Sequence, residues 1–378
     1  MINKLRIFIL FLSIAAVSPV WAVPSHAVVL MYHRFDEHKF PSTSIKVSQF
    51  IKQLDYLTEN GFNFWPLEKI VEHLKTKKSI PDKTIAITID DAYLSVYQHA
   101  YPILKQRNIP FTIFVSTKYI DKGFSSYMSW DQLAEMVKNG VNVGNHSSTH
   151  DHLIQRHKGE LHEAWLTRVA EDIFKAEYRI QEKTGVQTIL FAYPYGEYNR
   201  VLANYVKELG YSAFGQQSGP IGEYSDFSAL PRFPVSDHFS DMAAFKNKVF
   251  SLPLPVVNES PQEVVTILSL PSLQIELQED LGNDKHTLRC FASGQGEVHA
   301  TWLNKTQFVV RALEPFHIRR SRYNCTIHNR KLKRYYWHSH LWIKPQLPES
   351  PSASNTSYLR QELMLKRQHF LAGDQVIQ

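Results

Sequence analysis

Short apolar strands alternate with amphipathic helices from residue 27 to about residue 235. The segments AVVLMYH (27–33) and TIAITID (84–90) are runs of β-forming residues, which is typical of strands that are buried on both faces. Between them, apolar residues recur at helical spacing from Val47 onward, and Gly61 marks the end of that helix. The pattern predicts a repeat of strand and helix.

Five further strands continue this repeat. They are predicted at 111–116, 141–146, 188–195, 211–217 and 229–235, with helices at 66–78, 95–107, 130–140, 160–184 and 199–209. Ser129 and Gln132 have the spacing of a capping box at one helix start. Seven strands that are mostly separated by helices predict an α/β fold with a parallel sheet, and this number favours a distorted (β/α)7-type barrel over an open sheet.

The pattern changes near residue 250. Residues 251–263 are rich in proline and are predicted to be a linker after a first domain at 27–250. Short strand-like segments separated by turn residues fill 264–345 and predict a small all-β domain, a β-sandwich. Residues 346–378 are predicted to be a flexible tail.

The cysteines bear on the type of sandwich. Cys290, Trp302 and Cys325 follow one another in the order of an immunoglobulin-like core, and Tyr323 lies where a tyrosine corner would be. The two cysteines are the only ones in the chain. In an oxidising compartment such a pair often forms a disulfide. We therefore expect a bridge across the sandwich beside Trp302.

The first 22 residues have the layout of a secretory signal peptide. A basic start precedes a short apolar run, and small residues at Val20 and Ala22 offer a cleavage site. The alternative is a membrane anchor, but the run is shorter than the roughly 20 residues that a spanning helix needs. We expect export to the periplasm, the cell envelope or the medium.

Composition narrows the class of protein further. A hydrophobic content of 43% and a charged content of 21% in 378 residues indicate a globular protein with a real core. The formal net charge of +6 is modest for this length and does not indicate nucleic acid as a partner.

Two pairs of residues at predicted strand ends carry the candidate chemistry. His146 and His150 could bind one metal ion, although histidine pairs are also common as hydrogen-bonded residues. Asp90 and Asp91 end another strand, where an aspartate could instead cap a helix. Together, two histidines and one aspartate with an open position match a catalytic zinc site. We expect Asp91, His146 and His150 to bind one divalent ion, with zinc favoured, and Asp90 to act as a base.

Three short motifs resemble those of a known family. TIDDA, HSSTH and YPYG are similar to the first three motifs of the polysaccharide deacetylases, the NodB-like carbohydrate esterases, and the resemblance covers residues 27–240. It implies removal of acetyl groups from N-acetylated sugars at an Asp-His-His metal site. It also implies that Asp90 is the catalytic base and that Tyr195 supplies a backbone N–H to the oxyanion.

The chain departs from the family pattern at two places. Family members usually carry an arginine that orients the base where this chain has Ala192. Arg232, on the last predicted strand, is the candidate replacement. The late motif of the family is not evident after the third motif, but LMYH ends at His33 near the start of the chain. This order resembles the circularly permuted poly-N-acetylglucosamine deacetylases.

His33 is the candidate general acid. An amine leaves poorly unless it is protonated, and histidine has a pKa near neutrality. His33 ends a predicted buried strand at the same barrel mouth as the metal ligands. The alternative is a core histidine that is bonded to a backbone carbonyl.

The favoured function is metal-dependent deacetylation of an N-acetylglucosamine polymer of the poly-β-1,6 type. The alternatives are a deacetylase of peptidoglycan, chitin oligosaccharide or an O-acetylated sugar, or a non-catalytic carbohydrate-binding envelope protein. Basic runs at 319–322 and 330–334 predict a solvated face on the β-domain, or else contact with the envelope or an exopolysaccharide.

Overall fold

The computed structural model describes residues 24–345 and residues 364, 367, 368 and 371. The predicted signal peptide and most of the predicted tail lie outside the described residues. An N-terminal α/β unit, residues 26–249, is followed by a C-terminal β unit, residues 252–343.

The α/β unit consists of strands that are mostly separated by helices. Its strands are β1 (His26–Tyr32), β2 (Arg34–Phe35), β3 (Ser44–Ile45), β4 (Asn63–Phe64), β5 (Thr84–Asp90), β6 (Phe111–Val115), β7 (Asn142–Asn145), β8 (Leu190–Ala192), β9 (Ser212–Phe214), β10 (Ile221–Gly222) and β11 (Phe233–Pro234). Its helices are α1 (Val47–Glu59), α2 (Leu67–Lys75), α3 (Tyr101–Gln106), α4 (Thr117–Asp121), α5 (Trp130–Lys138), α6 (His162–Thr184), α7 (Arg200–Glu208) and α8 (Met242–Val249).

Parallel strands of this unit form one curled sheet. Strands β1, β5, β6, β7, β8 and β9 follow one another in that order, and each neighbouring pair is parallel. On the side of β1 away from β5, β10 pairs antiparallel with its start and β11 pairs in parallel with its end. Leu230, just before β11, bridges Phe214 of β9. Residues 230–234 therefore link the two edges of the curl. The predicted α/β class is confirmed, and the sheet is barrel-like.

Burial explains why the strands read as continuous apolar runs. Every residue of β1, β5 and β6 is buried. Alternate residues enter two different core clusters: Val28 and Leu30 belong to one, whereas Ala27 and Val29 belong to the other. A sheet that is covered on both faces selects apolar residues at every position.

Two predicted elements differ from the observed ones. The strand expected at 188–195 ends at Ala192, and Pro194–Gly196 form a tight turn instead. The helix expected at 95–107 is divided, with a π-helical segment at Val96–Ala100 before α3. Pro102 has no amide hydrogen, and so it interrupts the helical bonding pattern there. The capping box of Ser129 and Gln132 is present at the start of α5, as predicted.

The C-terminal β unit is built from two sheets. Its strands are β12 (Leu252–Pro253), β13 (Val256–Ser260), β14 (Ser272–Leu277), β15 (Arg289–Ala292), β16 (Gly296–Val298), β17 (Ala300–Trp302), β18 (Gln307–Arg311), β19 (Arg320–Asn329) and β20 (Arg334–Ile343). The sheet orders are β12-β20-β19-β15-β16 and β13-β14-β18-β17. Side chains from both sheets share one core cluster, with Phe308 from one and Tyr323 from the other.

The predicted linker needs correction. Residues 251–263 contain β12 and β13, which pair with β20 and β14. Proline is tolerated here because β12 and β13 are edge strands of their sheets. The segment is therefore part of the C-terminal β unit.

The predicted placement of the disulfide also needs correction. Cys290 and Cys325 are bonded, but they face each other on the neighbouring strands β15 and β19 of a single sheet. The bridge does not join the two sheets as in an immunoglobulin domain. Trp302 lies on β17 in the other sheet and packs edge-on against Phe308. The Tyr323 hydroxyl donates to the Pro271 carbonyl at 2.5 Å and accepts from the Ala312 amide at 2.8 Å, as in a tyrosine corner.

The two units share apolar contacts. Leu341 and Ile343 of β20 belong to the same core cluster as Phe191 and Tyr211 of the α/β unit. Trp337 packs edge-on against Phe233, with ring centroids 5.2 Å apart. The C-terminal β unit is thus seated directly on the curled sheet.

Candidate active site

The predicted site residues meet at one edge of the curled sheet. Asp90 is the last residue of β5 and Asp91 follows it, while His33 and His146 directly follow β1 and β7. Because these strands are parallel, their carboxyl ends lie at the same edge. The expectation that these side chains converge is confirmed.

Backbone geometry turns the adjacent aspartates in different directions. Asp91 has a φ of 75°, in the left-handed region that few residues other than glycine adopt. Its amide still donates to the Phe114 carbonyl at 2.9 Å, which continues the ladder with β6. Asp90 can therefore face one neighbour while Asp91 faces another.

Asp91, His146 and His150 form a cluster with the geometry of a metal site. The Oδ1 atom of Asp91 lies 3.3 Å from Nε2 of His146 and 3.1 Å from Nε2 of His150. The three candidate ligand atoms lie within 4.8 Å of one another. Within the described residues, no other group of three histidine, cysteine or acidic side chains has this geometry.

Hydrogen bonding indicates that a cation fits this cluster. Nδ1 of His146 lies 2.7 Å from the Ala192 carbonyl, and so it carries the proton while Nε2 presents a lone pair. That lone pair faces Asp91 Oδ1, which is buried and accepts no hydrogen bond from the described residues. Two lone pairs facing each other in a buried site are satisfied by a shared cation. The residues therefore fit a divalent metal ion.

The pKa shifts of Asp91 and His150 also indicate a site that favours a cation. Burial acts to raise the pKa of Asp91, but its contacts with His146 and His150 outweigh burial and hold that pKa well below its usual range. Burial acts to lower the pKa of His150, and the neighbouring Asp91 carboxylate outweighs this, so that the pKa is raised. Asp91 is thus an anion that favours positive charge beside it.

Asp90 forms a buried ion pair with Arg232. The two guanidinium nitrogens lie 2.7 and 2.8 Å from the two carboxylate oxygens, a bidentate arrangement. Both side chains are fully buried. Arg232 is held by the Thr88 hydroxyl and the Gly215 carbonyl, each at 3.1 Å. The expectation that Arg232 reaches Asp90 is confirmed.

This pair sets the ionisation of Asp90. Burial acts to raise the pKa of Asp90. The charge and hydrogen bonds of Arg232, with a contribution from His146, lower it by more than burial raises it, so that the pKa lies below its usual value. The Arg232 guanidinium reaches Asp90 from residues 230–234, the segment that links the two edges of the curled sheet. The position where family members carry an arginine is occupied by the small buried Ala192.

His33 lies beside the same carboxylate. Its Nε2 is 3.9 Å from Oδ2 of Asp90, and its side chain is 13% exposed. Burial lowers the pKa of His33, and the Asp90 and Asp91 charges offset part of that effect. His33 therefore reaches the site from β1, on the side of Asp90 where solvent still has access.

Tyr195 sits in a strained turn. Its φ is 60° and its ψ is 4°, a left-handed conformation that costs a residue with a side chain about 1–2 kcal/mol. Gly196 follows with a φ of 68°, and an added Cβ there would lie 2.7 Å from the amide nitrogen of Gln216. The Tyr195 ring packs against His150, with centroids 4.6 Å apart. The turn is thus placed directly beside a metal-ligand residue.

An aromatic wall lines the neighbouring part of the site. Tyr119 and Tyr127 are stacked with centroids 4.8 Å apart, and Tyr93 lies 4.9 Å from Tyr127. Burial raises the pKa of all three hydroxyls, and the charge of Asp91 adds to the rise. Aromatic faces close to charged groups suit a ligand with both apolar faces and hydroxyl groups.

Sequence analysis missed two residues of this region. Glu197 follows the Tyr195 turn and is fully buried. His152 lies 2.8 Å from Glu197 and stacks on the Tyr195 ring at 4.0 Å. An acidic residue directly after the YPYG motif was the available signal, but its main partner, Arg319, is 122 residues away along the chain.

The basic runs of the C-terminal β unit are partly used in contacts between the units. Arg319 and Arg320 reach Glu197, and Arg334 pairs with Asp82 at 2.7 Å. The expectation of a solvated face is therefore wrong for Arg319 and Arg334, whereas the Arg320 side chain is 39% exposed.

None of the helices in the described part of the chain combines the length and the apolar character that crossing a membrane requires.

Comparisons with known proteins agree with this geometry. The family model described as Polysaccharide deacetylase matches residues 77–214. The poly-β-1,6-N-acetyl-D-glucosamine N-deacetylase of Staphylococcus aureus (strain MRSA252) is 26% identical in an alignment 270 residues long that covers 61% of this chain and 93% of that protein.

Solved structures give the same result. The structure of IcaB from Ammonifex degensii is 31% identical, with a TM-score of 0.50, and the match covers 59% of this chain and 97% of that one. The Streptococcus pyogenes deacetylase PplD in complex with acetate is 22% identical, with a TM-score of 0.51, and covers 57% of this chain and 95% of that one. The similarity to PplD shows the fold alone. The similarity to IcaB, the family model and the site together show that this chain belongs to the polysaccharide deacetylase family and is an N-deacetylase, a hydrolase.

Proposed function

We propose that this protein removes N-acetyl groups from an N-acetylglucosamine polymer, with the poly-β-1,6-linked polymer as the favoured substrate. The observation that carries the proposal is the cluster of Asp91, His146 and His150 beside the buried pair of Asp90 and Arg232. The similarity to a poly-β-1,6-N-acetyl-D-glucosamine N-deacetylase over 93% of that protein supports the choice of substrate.

Asp91, His146 and His150 would hold one divalent ion, with zinc favoured because of the two-histidine, one-carboxylate ligand set. When bound, such an ion polarises the amide carbonyl and activates a water molecule. The hydrogen bond from His146 Nδ1 to Ala192 supports this assignment because it orients Nε2 toward the ion site.

Asp90 serves as the general base. Arg232 keeps its carboxylate ionised and fixes its orientation, so that it is ready to take a proton from the attacking water. A base must be both ionised and directed at its proton, and the bidentate pair supplies both conditions.

Tyr195 contributes its backbone N–H to the developing oxyanion. The left-handed turn beside His150 supports this role, because strained backbone persists where the surrounding structure holds it and is frequent at active sites. A fixed donor of this kind contributes roughly 10²–10³-fold to a hydrolytic rate.

His33 protonates the leaving amine. It lies 3.9 Å from Asp90, and so the base and the acid occupy adjacent positions at one site. Because burial lowers its pKa, His33 is mainly neutral at rest near pH 7, and it must acquire a proton during the reaction before it can donate one. Asp90, which has taken a proton from the attacking water, lies next to His33 and can supply that proton.

Acetate release tests the function. The purified protein, with zinc or with a chelator, is incubated with oligomers of β-1,6-linked N-acetylglucosamine, chitin oligosaccharide, peptidoglycan and an O-acetylated sugar. We expect zinc-dependent acetate release, fastest from the β-1,6-linked oligomers. Faster release from another of these substrates would transfer the assignment to it, and no release from any would favour a carbohydrate-binding protein without activity.

We further propose that residues 1–22 direct export and that residues 27–250 carry the catalytic chemistry. The C-terminal β unit is proposed to be an immunoglobulin-like sandwich, and its proposed contact is the envelope or an exopolysaccharide. The apolar start of the chain supports export, and the tyrosine corner at Tyr323 supports the sandwich, although the disulfide within one sheet is atypical of it. Mass spectrometry of the protein from the cell exterior tests export, since cleavage should remove the first 22 residues.

A further inference from the structure

Buried charge links the Tyr195 turn to the C-terminal β unit. Glu197 ends the turn and is fully buried. Arg319 donates to both of its carboxylate oxygens, from Nε at 3.0 Å and from a terminal nitrogen at 2.8 Å. A buried carboxylate is stable only when its charge and hydrogen bonds are satisfied. An anion of the α/β unit therefore depends on an arginine of the other unit.

Arg320 holds the turn itself. It is the first residue of β19, and its guanidinium donates to the Tyr195 carbonyl at 2.6 Å. The guanidinium carbon lies 5.8 Å from the centroid of the Tyr195 ring. The carbonyl bond fixes the plane of the peptide that follows Tyr195, and so it acts on the backbone of the strained residue.

His152 joins the turn to the loop that carries the candidate metal ligands. Its ring stacks on the Tyr195 ring, with an angle of 17° between the planes. The carboxylate that binds Arg319 also binds His152, at 2.8 Å. Glu197 is therefore the point where the C-terminal β unit, the turn and the loop after His150 meet.

We propose that Arg319 and Arg320 are positioning residues for the deacetylation reaction. They hold the left-handed turn so that the Tyr195 N–H points at the reacting carbonyl, and the C-terminal β unit is thereby a required part of the catalytic apparatus. This inference rests on the proposed role of Tyr195. A displacement of about 1 Å at such a group can lower a rate by roughly 10²-fold.

Steady-state kinetics tests the inference in the full-length protein loaded with zinc. Arg319→Gln and Arg320→Gln should each lower kcat about 10–100-fold, with KM changed less than threefold and zinc content unchanged. Arg319→Lys should recover part of kcat, because it restores the charge without the bidentate geometry. Arg320→Gln also serves if Arg319→Gln does not fold, because the Arg320 side chain is 39% exposed.

Hydrogen exchange supplies a readout that does not depend on activity. The amides of Gly196 and Glu197 donate to Tyr193 and Pro194 within the turn, and exchange in this segment should become faster in both glutamine variants. Arg289→Gln is the matched control, since it removes an exposed ion pair with Glu297 in the same unit, away from the turn. It should leave kcat and exchange at the turn unchanged.

The outcomes separate the proposed deacetylase function from the proposed positioning role of Arg319 and Arg320. If the wild-type protein releases no acetate from any N-acetylated substrate, the proposed function fails. If the wild type is active and the arginine variants keep their kcat, the positioning role is wrong, whether or not exchange changes. A rise in KM alone would also overturn it, because the arginines would then bind substrate.

Discussion

Arg232 is the side chain on which the ionisation of Asp90 depends. It approaches from the segment at 230–234 that closes the curl, and not from β8, where the family pattern has its arginine. Guanidinium and carboxylate form two hydrogen bonds in a fully buried pair. The same interaction can therefore be supplied from a different strand, provided that the guanidinium reaches the same oxygens.

Replacing Arg232 should shift the pH dependence of the reaction. In Arg232→Met, the largest offset to the burial of Asp90 is lost, and so the pKa of its carboxyl rises. Because the base must be ionised, the acidic limb of the kcat/KM profile should move to higher pH, and kcat/KM at pH 7 should fall by roughly 10²-fold or more. Arg232→Lys keeps the charge and should give an intermediate profile.

Circular dichroism should accompany that measurement to show that the variant is folded, because removing one partner of a buried pair costs about 3–5 kcal/mol.

The contribution of this ion pair to the stability of the protein also depends on pH. With the pKa of Asp90 lowered by folding, its stabilising contribution is present above the unfolded pKa of about 3.9 and is lost as the pH falls further. A folded Arg232→Met variant with an unshifted acidic limb would contradict the assignment of Asp90 as the base.

His33 provides the second prediction at this scale. It lies 3.9 Å from Asp90 but is not among the three clustered ligands, so His33→Ala should leave the zinc content unchanged. Loss of a positioned acid should lower kcat by roughly 10²–10⁴-fold. Metal analysis of the variant separates the roles: lost zinc would make His33 a ligand, and near-full activity would remove it from the mechanism.

The sequence was enough to predict most of the site residues because they follow strand ends. Asp90, Asp91, His146 and His33 each end or follow a strand of the parallel sheet, which brings such positions together. Glu197 and His152 were missed because neither ends a strand of the parallel sheet and their contacts join distant parts of the chain. They bind each other across 45 residues, and Glu197 binds Arg319 of the C-terminal β unit across 122 residues.

At the scale of elements, the turn at Pro194–Gly196 shows the limit of periodicity. The apolar residues from Leu190 to Tyr195 predict a continuous strand, but the chain leaves the sheet after Ala192. The positive φ angles of Tyr195 and Gly196 have no signature in hydrophobic pattern, and only the glycine hints at them. The long, fully buried strands β1, β5 and β6 were predicted within one or two residues.

A glycine substitution tests the importance of this turn. Gly196→Ala places a Cβ about where Gln216 lies, 2.6 Å from its Cβ, and so the turn must move. We expect kcat to fall at least about tenfold, since the displaced group is a proposed oxyanion donor. Gly210→Ala is the matched control, because Gly210 has a φ of 90° but no atom of the described residues lies within 4 Å of the added Cβ.

Both variants share the cost of an alanine at positive φ, of order 1 kcal/mol. Thermal unfolding should therefore show a lower midpoint in each, whereas only Gly196→Ala should lose activity. Equal kcat in the two variants would mean that the position of the turn does not matter for the reaction.

At the scale of the whole molecule, the two units share their interior. Leu341 and Ile343 of β20 pack in the same cluster as Phe191 of β8, and charged contacts such as Arg334 with Asp82 add to the interface. Units with a common apolar core lose part of that core if either one unfolds, and so we expect their unfolding to be coupled.

Zinc should therefore stabilise both units although its proposed ligands all lie in one. A ligand at 100 times its Kd adds about 2.7 kcal/mol to the free energy of unfolding. Hydrogen exchange in increasing urea, followed by mass spectrometry, should show segments from β5 and from β19 opening in one transition, which zinc moves to higher urea. Asp91→Asn removes a ligand and should abolish the shift for both segments. If β19 opens at a urea concentration that zinc does not change, the units unfold independently, and the C-terminal β unit is attached to the catalytic unit without being coupled to it.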